Sequence, residues 1–600
     1  MTIQKERKKR KLPNGFTSSK PVQKLVSNWF SLDDTDDDLP IKQPIEMVQE
    51  YFPQDILGVK VMFPYVPYQS QLDLMKNIIL SIENGQNAIL ESPTGTGKTL
   101  SILCSSLSWL EQAKQKRLEE LSKRRLDFQK LAESLASLPE LNECTKLNNV
   151  ESDKSVIKEN TSGVHGSEST GAAIEPESFR IPKIYITSRT QKQIHQTVSE
   201  LKSRCQVKPK VSILASREYL CIHHDVKKSS NKNEDCQALK EQGNCIYAQN
   251  EKRLAMKDAL PEIWDIEDIV TAGKKLQACP YYAARNLSKS ADVVFAPYNY
   301  IVDPLIRNSM DMELEDSVLI VDEAHNIEQM SMDAASAEIS EIEIREVLRV
   351  LKVYGKGMGD QSYLFETEDL TNLVNTILNW IQQYKSKGFP LKELNKTFRL
   401  WTGNEIHKSL KAEGISFSLL SQLEKSVAQL STPSVVELPK SNMVKEQIKF
   451  PSHAINTLQK LILSLQYVFQ ETPDNRNEFK VLLSKSYQED WKVRREFGDY
   501  QFALHFWCLN AGVIFSNLGN LCRSVILTSG TLSPIVSYAK ELGVHFEHTL
   551  EAPHVIPDEN LWVGSISSGP DRSPLCGVST WAIHSKAWKT DPQWRACILP

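Results

Sequence analysis

Short apolar runs, each ending in a polar turn, punctuate the chain. Asn87-Ala88-Ile89-Leu90, Ile181-Pro182-Lys183-Ile184-Tyr185-Ile186, Val318-Leu319-Ile320-Val321 and Ser524-Val525-Ile526-Leu527 each read as a strand. Runs this continuously apolar suit strands covered on both faces. Elsewhere the period is helical. Leu72, Met75, Ile79 and Ile82 share one helical face, the run from Thr99 to Leu110 reads as a helix, and after it comes a densely charged stretch over 114–130, helical in character. Two later stripes, Leu373, Ile377, Leu378, Ile381 with Tyr384, and Ile455, Leu458, Ile462, Leu465 with Phe469, predict helices packed in a core. Residues 131–178 turn polar, dominated by Ser, Thr, Gly, Asn and Glu, and are expected to be a disordered insertion that buries no core. Residues 1–55 are expected to be a disordered basic and acidic tail.

Composition narrows the class. At 600 residues the chain exceeds one domain, with about three or four expected at ~150 residues each. Charged residues make up 24% and hydrophobic residues 40%, a globular balance. The net charge of −4 means that a nucleic-acid partner needs local basic patches rather than bulk charge. No apolar run approaches the ~18 residues of a membrane span, and no signal-peptide core opens the chain, so an intracellular protein without a membrane is expected. Eleven cysteines in that setting suggest thiols or metal ligands before disulfides.

The first candidate chemistry follows the run 87–90. Glu91-Ser92-Pro93-Thr94-Gly95-Thr96-Gly97-Lys98-Thr99 joins a strand to a helix through a Gly-rich turn ending in Lys-Thr, the context a P-loop requires. Backbone N–H groups around Gly95 and Gly97 suit phosphate oxygens, helped by the positive end of the helix dipole. Lys98 is placed to reach the β- and γ-phosphates of ATP, and Thr99 to offer a hydroxyl to Mg²⁺. Ser92 stands where the P-loop pattern has its first Gly. The complementary half lies more than 200 residues on, where the strand 318–321 ends in Asp322-Glu323-Ala324-His325. Asp322 is expected to hold Mg²⁺, Glu323 to orient and deprotonate the attacking water, and His325 to couple the nucleotide to the rest of the protein. Gln71, beside Tyr68 at the mouth of the helix before the P-loop, offers both a donor and an acceptor to an adenine edge.

Other signals are weaker. Ser188, Arg189 and Thr190 follow the strand 181–186 and suit either a nucleic-acid backbone contact or an ordinary polar loop. Lys5-Glu6-Arg7-Lys8-Lys9-Arg10-Lys11 reads as a nuclear-import signal, a nucleic-acid contact or a solvated tail. Gln23-Lys24-Leu25-Val26-Ser27-Asn28-Trp29-Phe30 resembles a sliding-clamp-binding peptide, with Val26 and Trp29 imperfect for that role, and the acidic run Asp33-Asp34-Thr35-Asp36-Asp37-Asp38 reads as a spacer. Cys221, Cys236, Cys245 and Cys279 are spaced C-x14-C-x8-C-x33-C. The spacing lacks the C-x2-4-C knuckle of structural zinc sites. It leaves open a cubane iron–sulfur cluster or four unrelated buried thiols.

A resemblance joins these pieces. Leu276-Gln277-Ala278-Cys279-Pro280-Tyr281-Tyr282, Pro297-Tyr298-Asn299-Tyr300 and Asp322-Glu323-Ala324-His325-Asn326-Ile327-Glu328, with the P-loop, resemble the iron–sulfur superfamily 2 DNA helicases of the XPD family over roughly residues 57–575. The resemblance implies an α/β fold, in which a RecA-like P-loop motor domain is interrupted by a 4Fe-4S domain and a helical arch domain. It implies that Gln71 reads adenine and that Cys221, Cys236, Cys245 and Cys279 hold the cluster. It further implies that Ser529, Gly530 and Thr531, in Thr528-Ser529-Gly530-Thr531-Leu532-Ser533-Pro534, form the motif coupling ATP to DNA. The implied domains are motor segments at 56–205, 286–330 and 506–545, an iron–sulfur domain at 206–285, an arch at 331–505, and the start of a second motor domain with a divergent tail at 546–600. The implied activity is ATP-dependent 5′-to-3′ unwinding of single-stranded or forked DNA in the nucleus, with DNA-repair partners.

One departure changes the expectation for this chain. The 600 residues contain no Gln-x-x-Gly-Arg-x-x-Arg segment, which in the family supplies an arginine finger from a second RecA-like domain. The chain therefore reads as a truncated form with that domain largely missing and with impaired hydrolysis. A non-catalytic ATP- and DNA-binding protein is the alternative, and a zinc-containing P-loop ATPase acting on another substrate is a third reading.

Overall fold

The computed structural model describes residues 50–136, 181–357, 361–393, 396–430, 450–470, 476–488, 494–495, 498–554 and 558–560, with single positions at 562, 564 and 568. The basic cluster at 5–11, the clamp-like peptide at 23–30, the acidic run at 33–38 and most of the polar insertion lie outside these residues.

The chain enters through an antiparallel hairpin, β1 (Phe52–Ile56) and β2 (Val59–Phe63). The described structure thus reaches into the span expected to be tail, because Phe52 to Ile56 pair with β2, whose Val59, Val61 and Phe63 are buried. Helix α1 (Gln69–Asn84) follows and buries Leu74, Met75, Ile78, Ile79 and Ile82 on one face. Helix α2 (Lys98–Ala136) runs unbroken through both the apolar and the charged stretches.

Seven strands form one sheet in the order β14-β3-β13-β7-β4-β6-β5, and every neighbouring pair is parallel. They are β3 (Ala88–Glu91), β4 (Ile184–Ser188), β5 (Val211–Ile213), β6 (Val293–Pro297), β7 (Val318–Asp322), β13 (Ser524–Ser529) and β14 (His548–Glu551). A parallel sheet is covered on both faces by crossover segments. Ile89, Leu90, Val293, Val294, Val318, Ile320, Val525 and Ile526 accordingly have no exposed surface. Helix α3 (Gln191–Arg204) follows β4 and turns Ile194, Val198 and Leu201 inward. The C-terminal ends of β3, β13, β7 and β4 lie side by side, and this is the edge at which open parallel sheets bind ligands.

Strand β14 corrects an expected boundary. Residues 548–551 pair with β3 from His548 opposite Ala88 to Glu551 opposite Glu91, so they extend the P-loop sheet rather than opening a second motor domain. Asn87 O accepts from His548 N at 3.2 Å, and Glu91 O accepts from Ala552 N at 2.9 Å.

Two insertions leave the sheet. Residues 206–285 supply the edge strand β5 and then form short helices, among them Arg217–Leu220, Lys232–Glu241, Ile246–Gln249, α4 (Ile266–Leu276) and the start of α5 (Pro280–Ser290). Residues 331–505 supply α6 (Glu341–Gly357), α7 (Gln361–Lys385) and α8 (Ser452–Phe469), together with helices Gly403–Ala412 and Phe417–Leu430. The two sequence stripes are buried here as expected, with Tyr384 half-buried. The same insertion also holds a five-stranded antiparallel sheet that its helical pattern did not announce, in the order β8-β12-β11-β10-β9. Its strands are β8 (Ala337–Ser340), β9 (Leu391–Glu393), β10 (Lys396–Thr402), β11 (Phe479–Tyr487) and β12 (Tyr500–Cys508).

Candidate functional site

The turn between β3 and α2 is shaped by its glycines and tied by its hydroxyls. Gly95 and Gly97 adopt φ of +83° and +76°, a region that a Cβ disfavours. Ser92, in place of a glycine, is buried, and its hydroxyl lies 2.8 Å from that of Thr96, which donates to Pro93 O at 2.8 Å. Ser92 N donates to Ser529 O at 2.9 Å, fixing the turn to β13. Lys98 opens α2 and is buried; its Nζ donates to Ser92 O at 3.0 Å and lies 3.9 Å from Glu323 Oε1. Thr99, half-buried, follows in the first helical turn, while Pro93, Thr94 and Gly95 form the outer lip.

Gln71 closes over this turn. Its Nε2 donates to Thr96 O at 2.8 Å, and its Oε1 accepts from Tyr68 N at 2.9 Å. Both ends of the amide are thus engaged on protein, and reading an adenine edge requires it to exchange one of these bonds. A Cβ at Gly97 would stand 2.6 Å from Gln71 Nε2. Gly97→Ala is therefore expected to displace Gln71, strain the turn by about 1–2 kcal/mol and weaken nucleotide binding about tenfold. Titration with a fluorescent ATP analogue checks this, and an unchanged affinity would rule out the cradle as the binding element.

The end of β7 faces the turn. Asp322 is buried, and its Oδ1 accepts from Thr528 Oγ1 at 3.1 Å and from Glu323 N at 3.0 Å. Burial pushes its carboxyl upward, Glu323 adds to the rise, and Lys98 opposes it. Glu323 sits at φ +56°, ψ +45°, a left-handed conformation of the kind that concentrates at functional sites. Its carboxylate spans from Lys98 to His325 Nδ1, 3.4 Å away, and His325 Nδ1 lies 3.0 Å from Ser529 Oγ. Gly530 backs onto the P-loop, since a Cβ there would meet Thr94 Cγ2 at 3.1 Å and Lys98 Nζ at 3.4 Å. Thr531 N donates to Ser529 Oγ at 3.5 Å. The three motifs thus form one contiguous site. Thr528, which holds Asp322, and Glu91, whose Oε2 accepts from Leu532 N at 2.8 Å and Ser533 N at 2.6 Å, were not singled out from the sequence. Both had the same signal, Thr528 in standing directly before Ser529 and Glu91 in standing directly before Ser92.

At the end of β4 the three polar residues separate in role. Ser188 is buried with its hydroxyl donating to Gln193 Oε1 at 3.2 Å, and Thr190 caps α3 by accepting from Gln193 N at 3.3 Å. Arg189 is exposed.

Cys221, Cys236, Cys245 and Cys279 are all buried free thiols. Cys221 and Cys279 end and begin short helices, Cys236 lies within Lys232–Glu241, and Cys245 precedes Ile246–Gln249. Tyr247 O accepts from Cys279 N at 2.8 Å, which ties two of these segments together. The thiols act on one another. Burial raises Cys221, helped by Cys236 and Cys245; burial pushes Cys279 up to about 12, opposed by the backbone N–H groups of Tyr282 and Tyr281 and reinforced by Cys236 and Cys221. A single zinc with ~2.3 Å Zn–S bonds holds its four sulfurs within about 4 Å of one another. Among the described residues no three cysteine sulfurs lie within 4.8 Å of one another; that spacing occurs for His195, Asp265 and Glu267, where Lys202 already pairs with Asp265. Four buried free thiols, set wider than zinc demands, fit a cubane cluster, whose usual ligands are cysteine thiolates. Arg217, stacked 4.1 Å over the Tyr281 ring, bonds to Cys236 and adds positive charge beside the group.

Residues 186–344 match the DEAD_2 family model. The chain is 30% identical to the Fanconi anemia group J protein homolog of Gallus gallus, across 87% of this chain and 53% of that protein. It is 31% identical to the regulator of telomere elongation helicase 1 homolog of Drosophila persimilis, across 87% of this chain and 52% of that protein. The chain thus spans about half the length of the curated relatives it matches. A solved structure titled XPD_Helicase superposes with a TM-score of 0.37 at 15% identity, across 81% of this chain and 62% of that one.

Proposed function

Since this chain belongs to the XPD family of superfamily 2 helicases, we propose that it carries the ATP site of a nuclear DNA helicase acting 5′ to 3′ on single-stranded or forked DNA in genome maintenance. The observation that carries this reading is the convergence of Lys98, Asp322 and Glu323 at the ends of β3 and β7. The cradle at Gly95 and Gly97 and the start of α2 bind the phosphates, and Lys98 exchanges Ser92 O and Glu323 for the β- and γ-phosphate oxygens. Thr99 and Asp322 would hold Mg²⁺, which when bound would neutralise phosphate charge. Glu323, released from Lys98, takes the proton of the attacking water, and His325 passes the change to Ser529. Arg189 contacts the DNA backbone at the neighbouring strand end.

The four cysteines would hold a 4Fe-4S cluster, which when bound would supply a rigid covalent cross-link among the short helices of residues 206–285. The clamp-like peptide at 23–30 and contacts with DNA-repair proteins complete the proposal. No helix among the described residues is long and apolar enough to cross a membrane.

A second reading applies to these 600 residues taken alone. They carry no Gln-x-x-Gly-Arg-x-x-Arg segment, and arginine fingers are worth about 10³–10⁵ in rate. The chain by itself is then a binder of ATP and DNA with slow turnover. The test is ATP hydrolysis with and without single-stranded DNA, using Lys98→Ala as the control. Lys98-dependent turnover at ordinary helicase rates would overturn the slow-turnover reading, and loss of ATP binding altogether would overturn both.

A further inference from the structure

Tyr298 combines complete burial with an unused polar group. Its side chain is 1% exposed, yet its hydroxyl has no hydrogen-bond partner among the described residues. Its backbone is fixed on both sides. Tyr298 N donates to Ser188 O at 3.1 Å, and Tyr298 O accepts from Ile301 N at 3.0 Å and Val302 N at 2.9 Å. Buried hydroxyls nearly always have a partner, and one without calls for an explanation.

The sheet supplies one. Strands β7, β4 and β6 are consecutive, and Glu323, Arg189 and Tyr298 are the first residues past their C-terminal ends. Thr187 pairs with Val321 and Ser188 with Pro297, so the three stand level along the edge. At ~4.8 Å per strand, the backbones of Tyr298 and Glu323 lie about 10 Å apart, within the joint reach of the two side chains. Both neighbours act on the phenol. Burial pushes it up to about 12, Arg189 opposes the rise and Glu323 adds to it. A guanidinium only donates and a carboxylate only accepts, so a phenol between them turns its oxygen toward Arg189 and its proton toward Glu323.

Glu323 needs such a donor. Its carboxylate lies 3.9 Å from Lys98 Nζ and 3.4 Å from His325 Nδ1. The main chain beside it is pinned, because Tyr538 Oη donates to Ala324 O at 2.5 Å. When phosphates draw Lys98 away, the Glu323 side chain loses its cation while its backbone stays in place.

We infer that Tyr298 is the positioning residue of the general base: its hydroxyl donates to the Glu323 carboxylate once Lys98 has turned to the phosphates, and holds that carboxylate toward the attacking water. Tyr298 keeps its proton throughout. The inference rests on the role proposed for Glu323.

Tyr298→Phe tests it, since it removes one oxygen and keeps the ring. Three measurements on the 600-residue chain are needed. The nucleotide-free variant is expected to melt no lower than wild type, because the hydroxyl has no partner to lose. Affinity for ATPγS is expected to hold. Single-turnover ATP hydrolysis is expected to fall by about ten- to a hundredfold, the scale of a misplaced catalytic group. A readout independent of rate comes from 3-fluorotyrosine placed at position 298 by amber suppression. Its ¹⁹F resonance is expected to shift when saturating Mg²⁺-ATPγS is added, and the shift is lost in Glu323→Ala.

A variant that melts lower and loses hydrolysis in proportion makes Tyr298 an ordinary core residue and overturns the inference. Hydrolysis at the wild-type rate, or a ¹⁹F resonance that nucleotide does not move, assigns the hydroxyl to a resident water, with the same consequence. The underlying reading fails separately: hydrolysis that ignores Lys98→Ala sinks the proposed ATP site and this inference with it, whereas hydrolysis that needs Lys98 but ignores Tyr298 sinks this inference alone.

Discussion

Glu323→Gln lowers single-turnover ATP hydrolysis by about 10²–10⁴-fold, the usual worth of a general base, and leaves nucleotide affinity nearly unchanged. The amide keeps the size of the carboxylate and its reach to His325, but it cannot accept the water's proton. The substitution also removes the charge beside Lys98 and the second-largest influence raising Asp322. Phosphate and Mg²⁺ binding therefore hold or improve while chemistry stops. Quenched-flow hydrolysis beside a binding titration separates the two. Equal losses in both would show Glu323 to be a structural brace for Lys98 instead.

A pH profile adds an independent check with a defined sign. Asp322 is held above its ordinary value chiefly by burial. Its folded form thus favours the proton, and at neutral pH the ionised carboxylate opposes stability in the absence of a cation. Binding of Mg²⁺ needs that ionised form. Affinity for the Mg²⁺-nucleotide is expected to fall as pH drops through the raised value, at a higher pH than an exposed aspartate would give.

The candidate nucleotide site was legible because the chemistry proposed for it dictates residue type and position together. A phosphate cradle demands Gly95 and Gly97 where φ is positive, a lysine at the start of a helix, and acids at the end of a buried strand. The strands that deliver them are covered on both faces, so β3, β7 and β13 read as plain apolar runs. The edges were not legible. Strand β14 alternates half-buried and exposed residues, and its pairing with β3 spans more than 450 residues, so nothing local marks it as part of that sheet. The arch sheet hid for a related reason. Strand β8 joins β12 across some 160 residues, and β11 buries Val481, Leu482, Leu483 and Ser484 in succession, a run whose periodicity does not separate strand from helix. Gln71 was legible as a residue but not in its geometry, since only the fold shows its amide engaged on Thr96 and Tyr68.

Cys279→Ser carries the other large expected effect, and it follows from how short the helices of residues 206–285 are. Their helices are short, from 4 residues at Arg217–Leu220 to 11 at α4. Elements of that length are marginal alone and depend on tertiary links. Cys279 sits where two such links meet: its backbone N–H bonds to Tyr247, and its thiol accepts the first N–H groups of α5 while facing Cys221 and Cys236. Serine preserves the shape and the backbone bond but binds iron poorly. The variant is expected to lose the brown absorbance near ~400 nm that cysteine-bound clusters show, together with about four iron atoms per chain. Proteolysis then cuts first within 206–285, while the Lys98 site, built on the seven-stranded sheet, still binds ATP. If the variant keeps its iron and its protease resistance, the four thiols are ordinary core residues. If the wild-type chain instead yields one zinc per molecule and no colour, the wide spacing of the sulfurs has closed around a different metal, and the zinc-containing ATPase becomes the better reading.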